Sequence, residues 1–357
     1  MSSDVQRILF VSLRWDYGDP SRGSSFEYEN LWDALRQMGG IDGRFFGFDE
    51  VAASAGPAGM NDELVRVAEE WKPDLVFCLL FKEEIQPETL QRLRTISGVT
   101  TLNWFADDHW RFQGFSRQWA PLFDWIVTTD ARAVPRYRAI GVERVIHSQW
   151  GVNQHVYRSQ GGLRDIDVSF VGQPYGHRRK LIESLRASGV AVEAWGYGWE
   201  GGRVKQAELV DILSRSKISL NFAASSPRYS WRYTAAQLLR RVGPVAVPRF
   251  GELRANSANL RDAYRPQLKA RNFEVGATGA LLLTEHVDQL DSYYVPSVEV
   301  VVFRGTRDLI SKAKRYLADD QSREEIAHAG HTRTLREHTY DRRFASIFER
   351  IGVSRRG

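Results

Sequence analysis

The chain has 357 residues, of which 43% are apolar, 12% aromatic and 26% charged, and its 49 Lys+Arg against 44 Asp+Glu leave a net charge of +5. That composition excludes a disordered chain, a collagen-like repeat and a small disulfide scaffold, and the length predicts two domains, each with its own core, facing a cleft. Cys78 stands alone, so no intramolecular disulfide can form, and no Cys/His cluster has structural-zinc spacing.

The basic residues are interleaved with acids rather than gathered into a run, which argues against a nucleic-acid partner. Near the N-terminus only residues 8–13 form an apolar stretch, too short for a signal-peptide core, and nothing approaches the ~20 apolar residues of a membrane span. A soluble cytoplasmic protein is expected, and the diffuse positive charge leaves peripheral contact with the inner face of the plasma membrane open.

In chain order, residues 8–12 read as a strand, 14–25 as a Gly- and Ser-containing loop, and 26–38 as a helix with Leu31, Leu35 and Met38 on one face. Further strands are expected at 45–48, 74–80, 101–105, 125–129 and 145–147, with helices over 64–71 and 87–96. Continuously apolar strands alternating with helices imply a parallel sheet covered on both faces. Residues 157–164 turn polar and Gly-rich and read as the domain boundary. A second series follows: strands at 168–172, 190–195, 218–221, 279–284 and 298–303, helices over 178–188 and 209–214, and helices from 306 to the end. The fold class expected is therefore α/β, two Rossmann-like doubly wound lobes, with domains at 1–158 and 165–340 and a terminal segment at 341–357.

Ligands of open α/β sheets gather at the carboxyl ends of the strands, so the loops there hold the candidate chemistry. The loop after the first strand, with Gly18, Gly23, Ser24 and Ser25, has the composition that lets backbone N–H groups approach an anion. Trp15, Trp104 and Trp110 lie in or beside such loops, where their faces are candidates for stacking on sugar rings. Asp107, Asp108 and His109 follow an apolar strand directly. Paired carboxylates repel, which raises one pKa and suits a general base, whereas a helix cap accounts equally for the same residues. His109 is a second candidate for the proton transfer. Asp130 reads as a cap.

In the second half, Gly172, Tyr175, Gly176, Arg178 and Arg179 combine a Gly turn with a basic helix start. Cations there oppose the helix dipole, a conflict that a bound diphosphate held by the Gly172 and Gly176 amides and the arginines would resolve. Asn221 ends the strand at 218–221. Lys269, Arg271, Phe273 and Glu274 cluster at the start of a short helix that stops at Gly279. An acid can accept both hydroxyls of a ribose while Lys and Arg face phosphates, and a simple Arg271–Glu274 ion pair is the competing reading. Asp165 and Asp167 spell D-x-D but precede a strand directly, so they are not read as a metal site.

The segment Lys269-x-Arg271-x-Phe273-Glu274, the strand over 279–285, residues 298–303, Asp308-Leu309, Ala327-His328-Ala329-Gly330 and His338-Thr339-Tyr340-Asp341-x-Arg343 together resemble the C-terminal lobe of GT-B glycosyltransferases. The pattern is most similar to CgeB-like, spore-maturation type members, over about 167–343. The resemblance implies a nucleotide-sugar donor lobe, with Glu274 on the ribose and Lys269, Arg271 or Arg178 on the diphosphate, and a C-terminal helix that crosses back onto the first lobe. Retaining members place an acid where this chain has Pro266, so the stereochemistry is not implied. The function expected is metal-independent sugar transfer, without a bound cofactor, from a nucleotide-sugar to a hydroxyl of a glycan, lipid-linked or protein acceptor, as in polysaccharide biosynthesis. An epimerase or phosphorylase on the same fold, and a non-catalytic sugar- or nucleotide-binding regulator, are the alternatives.

Overall fold

The computed structural model describes residues 6–223, 239–242, 245–248 and 264–353, of which 239–242 and 245–248 by backbone alone. Contacts divide the chain into two units, residues 1–149 with 340–357, and residues 150–339.

In the first unit β1 (Gln6–Ser12), β2 (Ile41–Gly47), β3 (Leu75–Cys78), β4 (Thr100–Phe105), β5 (Trp125–Thr128) and β6 (Val145–His147) form a parallel sheet ordered β2-β1-β3-β4-β5-β6. Ile8 to Val11 and Leu75 to Cys78 are fully buried, as strands covered on both faces must be. A π-helical stretch, Glu27–Trp32, leads into α1 (Asp33–Gln37), followed by α2 (Phe48–Trp71), α3 (Pro87–Thr95), α4 (Asp108–Arg111) and α5 (Ala133–Arg138). The expected strand at 45–48 instead begins at Ile41 and ends at Gly47, because Phe48 already opens α2. That helix is longer than its apolar spacing suggested; it is interrupted at Gly56, whose φ of 73° breaks the helical backbone ahead of Pro57.

The second unit contains β7 (Ile166–Val171), β8 (Val192–Trp195), β9 (Ser216–Asn221), β10 (Leu239–Val242), β11 (Val245–Pro248), β12 (Leu281–Glu285) and β13 (Val301–Phe303). Five of these form a parallel sheet ordered β13-β12-β9-β7-β8, and β10 pairs antiparallel with β11, a ribbon that the apolar patterning did not predict. Its helices are α6 (Arg178–Ala187), α7 (Gln206–Arg215), α8 (Arg271–Thr278), α9 (Gly305–Ala318) and α10 (Asp320–Glu337). The strand expected over 298–303 is only its last three residues. Residues 150–164 are tied into this unit rather than hanging between two: Val152 and Tyr157 sit in its core, and Arg164 donates to the carbonyls of Ser214, Ser216 and Gly279.

The last helix, α11 (Tyr340–Ile351), belongs to the first unit. Phe344 is fully buried there and meets Phe77 and Trp104 edge to face at 5.8 and 6.4 Å, as the expected return of the C-terminal helix requires. In both sheets the strand order reverses direction once, between β1 and β3 and between β7 and β9. Those are the points where open α/β sheets form their ligand crevices. The charge is also divided: the second unit has 28 basic and 20 acidic residues, the first 21 and 24.

Candidate functional site

In the second unit the candidate residues converge on the β7/β9 switch point. Arg178 opens α6 and is 7% exposed; its Nη2 donates to the carbonyl of Phe222 just after β9 (3.0 Å), its Nη1 to Gln173 after β7 (3.2 Å), and its guanidinium lies 3.9 Å from the Tyr175 ring centre. Burial disfavours its charge, and Arg271 is near enough to oppose it further, whereas Tyr175 and Glu285 favour it. Two guanidiniums held within electrostatic reach of each other form a local positive field suited to an anion. Gly176 has φ 62°, so its backbone is one that glycine adopts readily.

Glu274 lies in the first turn of α8, its side chain 4% exposed, with Arg271 Nη1 2.7 Å from Oε2. The ion pair that competed with a ligand role at the sequence level is therefore formed. Tyr157 is a neighbour that the sequence did not suggest: burial, followed by the charge of the nearby Glu274 carboxylate, pushes its pKa well up, so its hydroxyl stays protonated. His177 Nε2 lies 3.0 Å from Glu285, whose other oxygen accepts from Ala223 N–H.

Several expected donor-site residues have other work. The Gly172 amide donates to Trp195 (2.8 Å) rather than facing a phosphate; its carbonyl lies so close to Gly196 that a Cβ there would overlap it. Asn221 is buried in a network with Asn272 and Thr284 that ties β9, α8 and β12 together, and Asn272 also caps the Lys269 amide. Phe273 is fully buried among Tyr293, Tyr294 and His338, a core position. Arg179 turns to the Gly198 carbonyl and stacks over Trp199. Lys269 is half-buried. The D-x-D carboxylates form ion pairs, Asp165 with Arg215 and Asp167 with Lys217. Among the described residues no three His, Cys, Asp or Glu side chains are grouped to hold a metal ion.

In the first unit the adjacent acids separate. Asp108 is fully buried, its Oδ2 accepting from Thr128 (2.6 Å) and Tyr137 (2.8 Å); burial raises its pKa to about 6 despite those bonds. It fastens α4 to β5 and α5. His109 is 3% exposed beside it. Asp107 occupies the N-cap position of α4, but its side chain makes no capping bond, and it lines a pocket of about 310 Å³ counting the open mouth, with Phe81, Phe105, Arg111 and Ser116. Trp104 contributes to that wall but is 1% exposed and stacked on Phe77, so its faces are not open to a sugar. Trp110 is half-buried, with Arg111 5.3 Å from its ring.

The loop after β1 is ordered by a Trp15–Ser24 bridge, by Asp49 accepting the Arg14 and Trp15 amides, and by Arg14, which lies between the Trp15 and Tyr28 rings and donates to Ser24 Oγ. Gly18 takes φ 75°. Just beyond is an acid that the sequence reading passed over: Glu27, 9% exposed, with its pKa raised to about 7 chiefly by burial, and also by Asp16 and Asp107. Its only sequence signal, an acid in a first helical turn, is shared by many surface residues.

Residues 177–349 match the model of a family described as glycosyl transferase-like. The chain is a glycosyltransferase with the GT-B fold. Its structural neighbours include sucrose-phosphate synthase from Thermosynechococcus elongatus (11% identity, 98% of this chain and 99% of that one, TM-score 0.60). They also include Anabaena HepE in complex with UDP and glucose (12%, 98% and 100%, 0.58) and a glycosyltransferase from Rickettsia africae (8%, 98% and 100%, 0.60). A comparison with curated proteins returned no match. Among the described residues no helix is long and apolar enough to cross a membrane.

Proposed function

We propose that this glycosyltransferase moves a sugar from a nucleoside-diphosphate sugar to an acceptor hydroxyl without a metal ion, the second unit holding the donor and the first the acceptor. Within the GT-B group its motifs fit the CgeB-like branch. The observation that carries the donor assignment is the Glu274–Arg271 pair, with Arg178 within electrostatic reach of Arg271 at the β7/β9 switch point. Glu274 accepts the ribose hydroxyls, and Arg271, Arg178 and the helix start at Gly176 face the diphosphate. The Anabaena HepE structures in complex with UDP and with UDP-glucose favour a uridine donor here.

Transfer breaks the bond between the anomeric carbon and the diphosphate oxygen, and the electron pair leaves with the diphosphate, which the guanidiniums stabilise electrostatically. The acceptor oxygen forms the new bond and gives up its proton. Asp107 is the carboxylate assigned to that proton, because it opens to the first-unit pocket whereas Asp108 is committed to Thr128 and Tyr137. Asp107, Arg111 and the loop bearing Trp15 make up the acceptor side. A soluble, cytoplasmic setting with peripheral contact at the inner membrane face completes the reading.

The test is a thermal-shift and calorimetry panel of UDP-, GDP-, ADP-, CMP- and dTDP-sugars against wild type and Glu274→Ala, with chelator present. A ligand bound only by the folded state raises the melting temperature by mass action. Stabilisation by one nucleotide family that disappears in the variant supports the donor assignment. Binding unaffected by Glu274→Ala, or no binding to any donor, overturns it.

A further inference from the structure

We propose that Tyr17 is the platform on which the acceptor stacks, and that the acceptor group it receives is a pyranose ring of a glycan. This rests on the acceptor role given above to the first unit and names the substrate class that its surface selects.

Tyr17 breaks two rules at once. Among the described residues of the first unit it is the one exposed large apolar side chain, 67% open to solvent in a unit that buries its other aromatic rings wholly or in part. Its backbone also lies in the left-handed region, φ 56° and ψ 22°, which an L residue with an aromatic ring seldom takes. Gly18 follows at φ 75°, so the turn from Asp16 to Asp19, closed by the Asp19 amide on the Asp16 carbonyl at 3.2 Å, has positive φ at both central positions. Asn, Asp or Gly is the residue that such a turn ordinarily places there. A tyrosine neither buried nor suited to its backbone contributes little to the fold, and residues of that kind gather at ligand sites.

The loop holds this ring in place. The Asp16 amide donates to the Gly23 carbonyl (2.9 Å) and the Ser25 amide to that of Arg14 (3.0 Å), closing residues 14–25 at their neck. Arg22 meets Asp16 Oδ2 through Nε and Nη2, both at 2.9 Å, and sets its guanidinium 4.8 Å from the Tyr17 ring centre. One face of the ring is thus backed by a cation, and the exposure lies on the other. Trp15, two positions earlier, has its ring covered by Arg14 at 4.3 Å, so the aromatic that this loop offers is Tyr17. A flat ring backed on one side and flanked in its turn by Asp16 and Asp19 suits a pyranose, which has a face of C–H groups and hydroxyl donors at its rim. The same acids, in a unit with 24 acidic against 21 basic residues, oppose an anionic lipid surface. The loop also shares an electrostatic neighbour with Asp107, the carboxylate assigned to the acceptor proton, since both Asp16 and Asp107 act on Glu27.

The test is saturation-transfer difference NMR on the full chain with methyl α- and β-pyranosides of glucose, galactose, mannose and N-acetylglucosamine as probes, read on wild type, Tyr17→Phe and Tyr17→Asn. Wild type should bind at least one of them, with the strongest signals on the C–H protons of a single face. Tyr17→Phe keeps the ring and should bind within about twofold of wild type. Tyr17→Asn suits the turn better but removes the ring, so it should weaken binding roughly three- to tenfold while its melting temperature holds or rises. No signal from any pyranoside on wild type, or equal binding by Tyr17→Asn, overturns the proposal, as does a melting temperature that falls in Tyr17→Asn, the mark of a structural role. Pyranoside binding that Glu274→Ala abolishes belongs to the donor side and overturns it too. If Asp107→Ala weakens pyranoside binding and Tyr17→Asn does not, only the role of Tyr17 fails. If neither does, the acceptor reading of the first unit fails with it.

Discussion

Arg178 at the start of α6 donates to the carbonyl of Phe222 just after β9, 3.0 Å away and across the point where the second sheet changes direction. The same side chain donates to Gln173 after β7. A residue that looked like a free cation at a helix N-terminus thus bridges two strand ends, and its charge still contributes to the field that Arg271 shares.

Arg178→Met therefore lowers stability as well as nucleotide affinity. It orphans two carbonyls, and at about 1–1.5 kcal/mol for each lost hydrogen bond the cost is about 2–3 kcal/mol. Arg179→Met, at an exposed position, should change stability by less than about 0.5 kcal/mol. Urea denaturation of the two variants checks the contrast, and equal effects would mean that the Phe222 and Gln173 contacts contribute nothing.

Glu27 predicts a pH dependence of stability. Its folded pKa, about 7, lies above the ordinary value of 4.5, so the folded state binds the proton more tightly than the unfolded chain. By linkage its contribution to stability is fully present below about 4.5, is lost as pH rises towards 7, and is flat above that. Glu27→Gln, which mimics the protonated acid, should remove this loss and gain about 3 kcal/mol at pH 8 relative to its effect at pH 4. Denaturation midpoints of both proteins across pH 4–8 check this; parallel curves would show that Glu27 ionises normally.

Phe344→Ala should release α11 from the first unit. The ring is fully buried against Phe77 and Trp104 and stacked on Tyr340 and Phe348. A truncation of this kind costs about 3–5 kcal/mol. Proteolysis should then cut first within 340–351, and a mass map showing the helix still protected would refute the prediction.

Gly276→Ala should destabilise the contact between α8 and α10 by about 1–3 kcal/mol, since a Cβ would collide with Thr334 Oγ1, a hydroxyl already bonded to Tyr294 and Gly330. The combined variant with Thr334→Ser should not recover it, because the colliding atom is the retained oxygen. Melting temperatures of the single and double variants decide the matter.

The strands were legible in the sequence because a parallel sheet buried on both faces needs uninterrupted apolar runs, and residues 8–11 and 75–78 are such runs. The end of α8 was legible too, because Gly279 adopts the left-handed conformation that stops a helix. Glu274 and Arg271 were legible as neighbours, since a spacing of three on a helix places them on one face. The tertiary structure alone decided what each polar group had left to offer. Asp107 and Asp108 look alike in sequence, yet one opens to a pocket and the other is sealed between Thr128 and Tyr137, because successive residues at a helix start point in different directions. Gly172, Asn221 and Phe273 read as ligand contacts and proved to hold the sheet, the helix and the core together. Tyr157 read as the edge of a linker and lies in that core beside Glu274, 117 positions further along the chain. Hydrophobic period and turn chemistry are local and appear in the order of residues. Burial and hydrogen-bond partnership are set by distant segments meeting, and they exist only once the chain has folded.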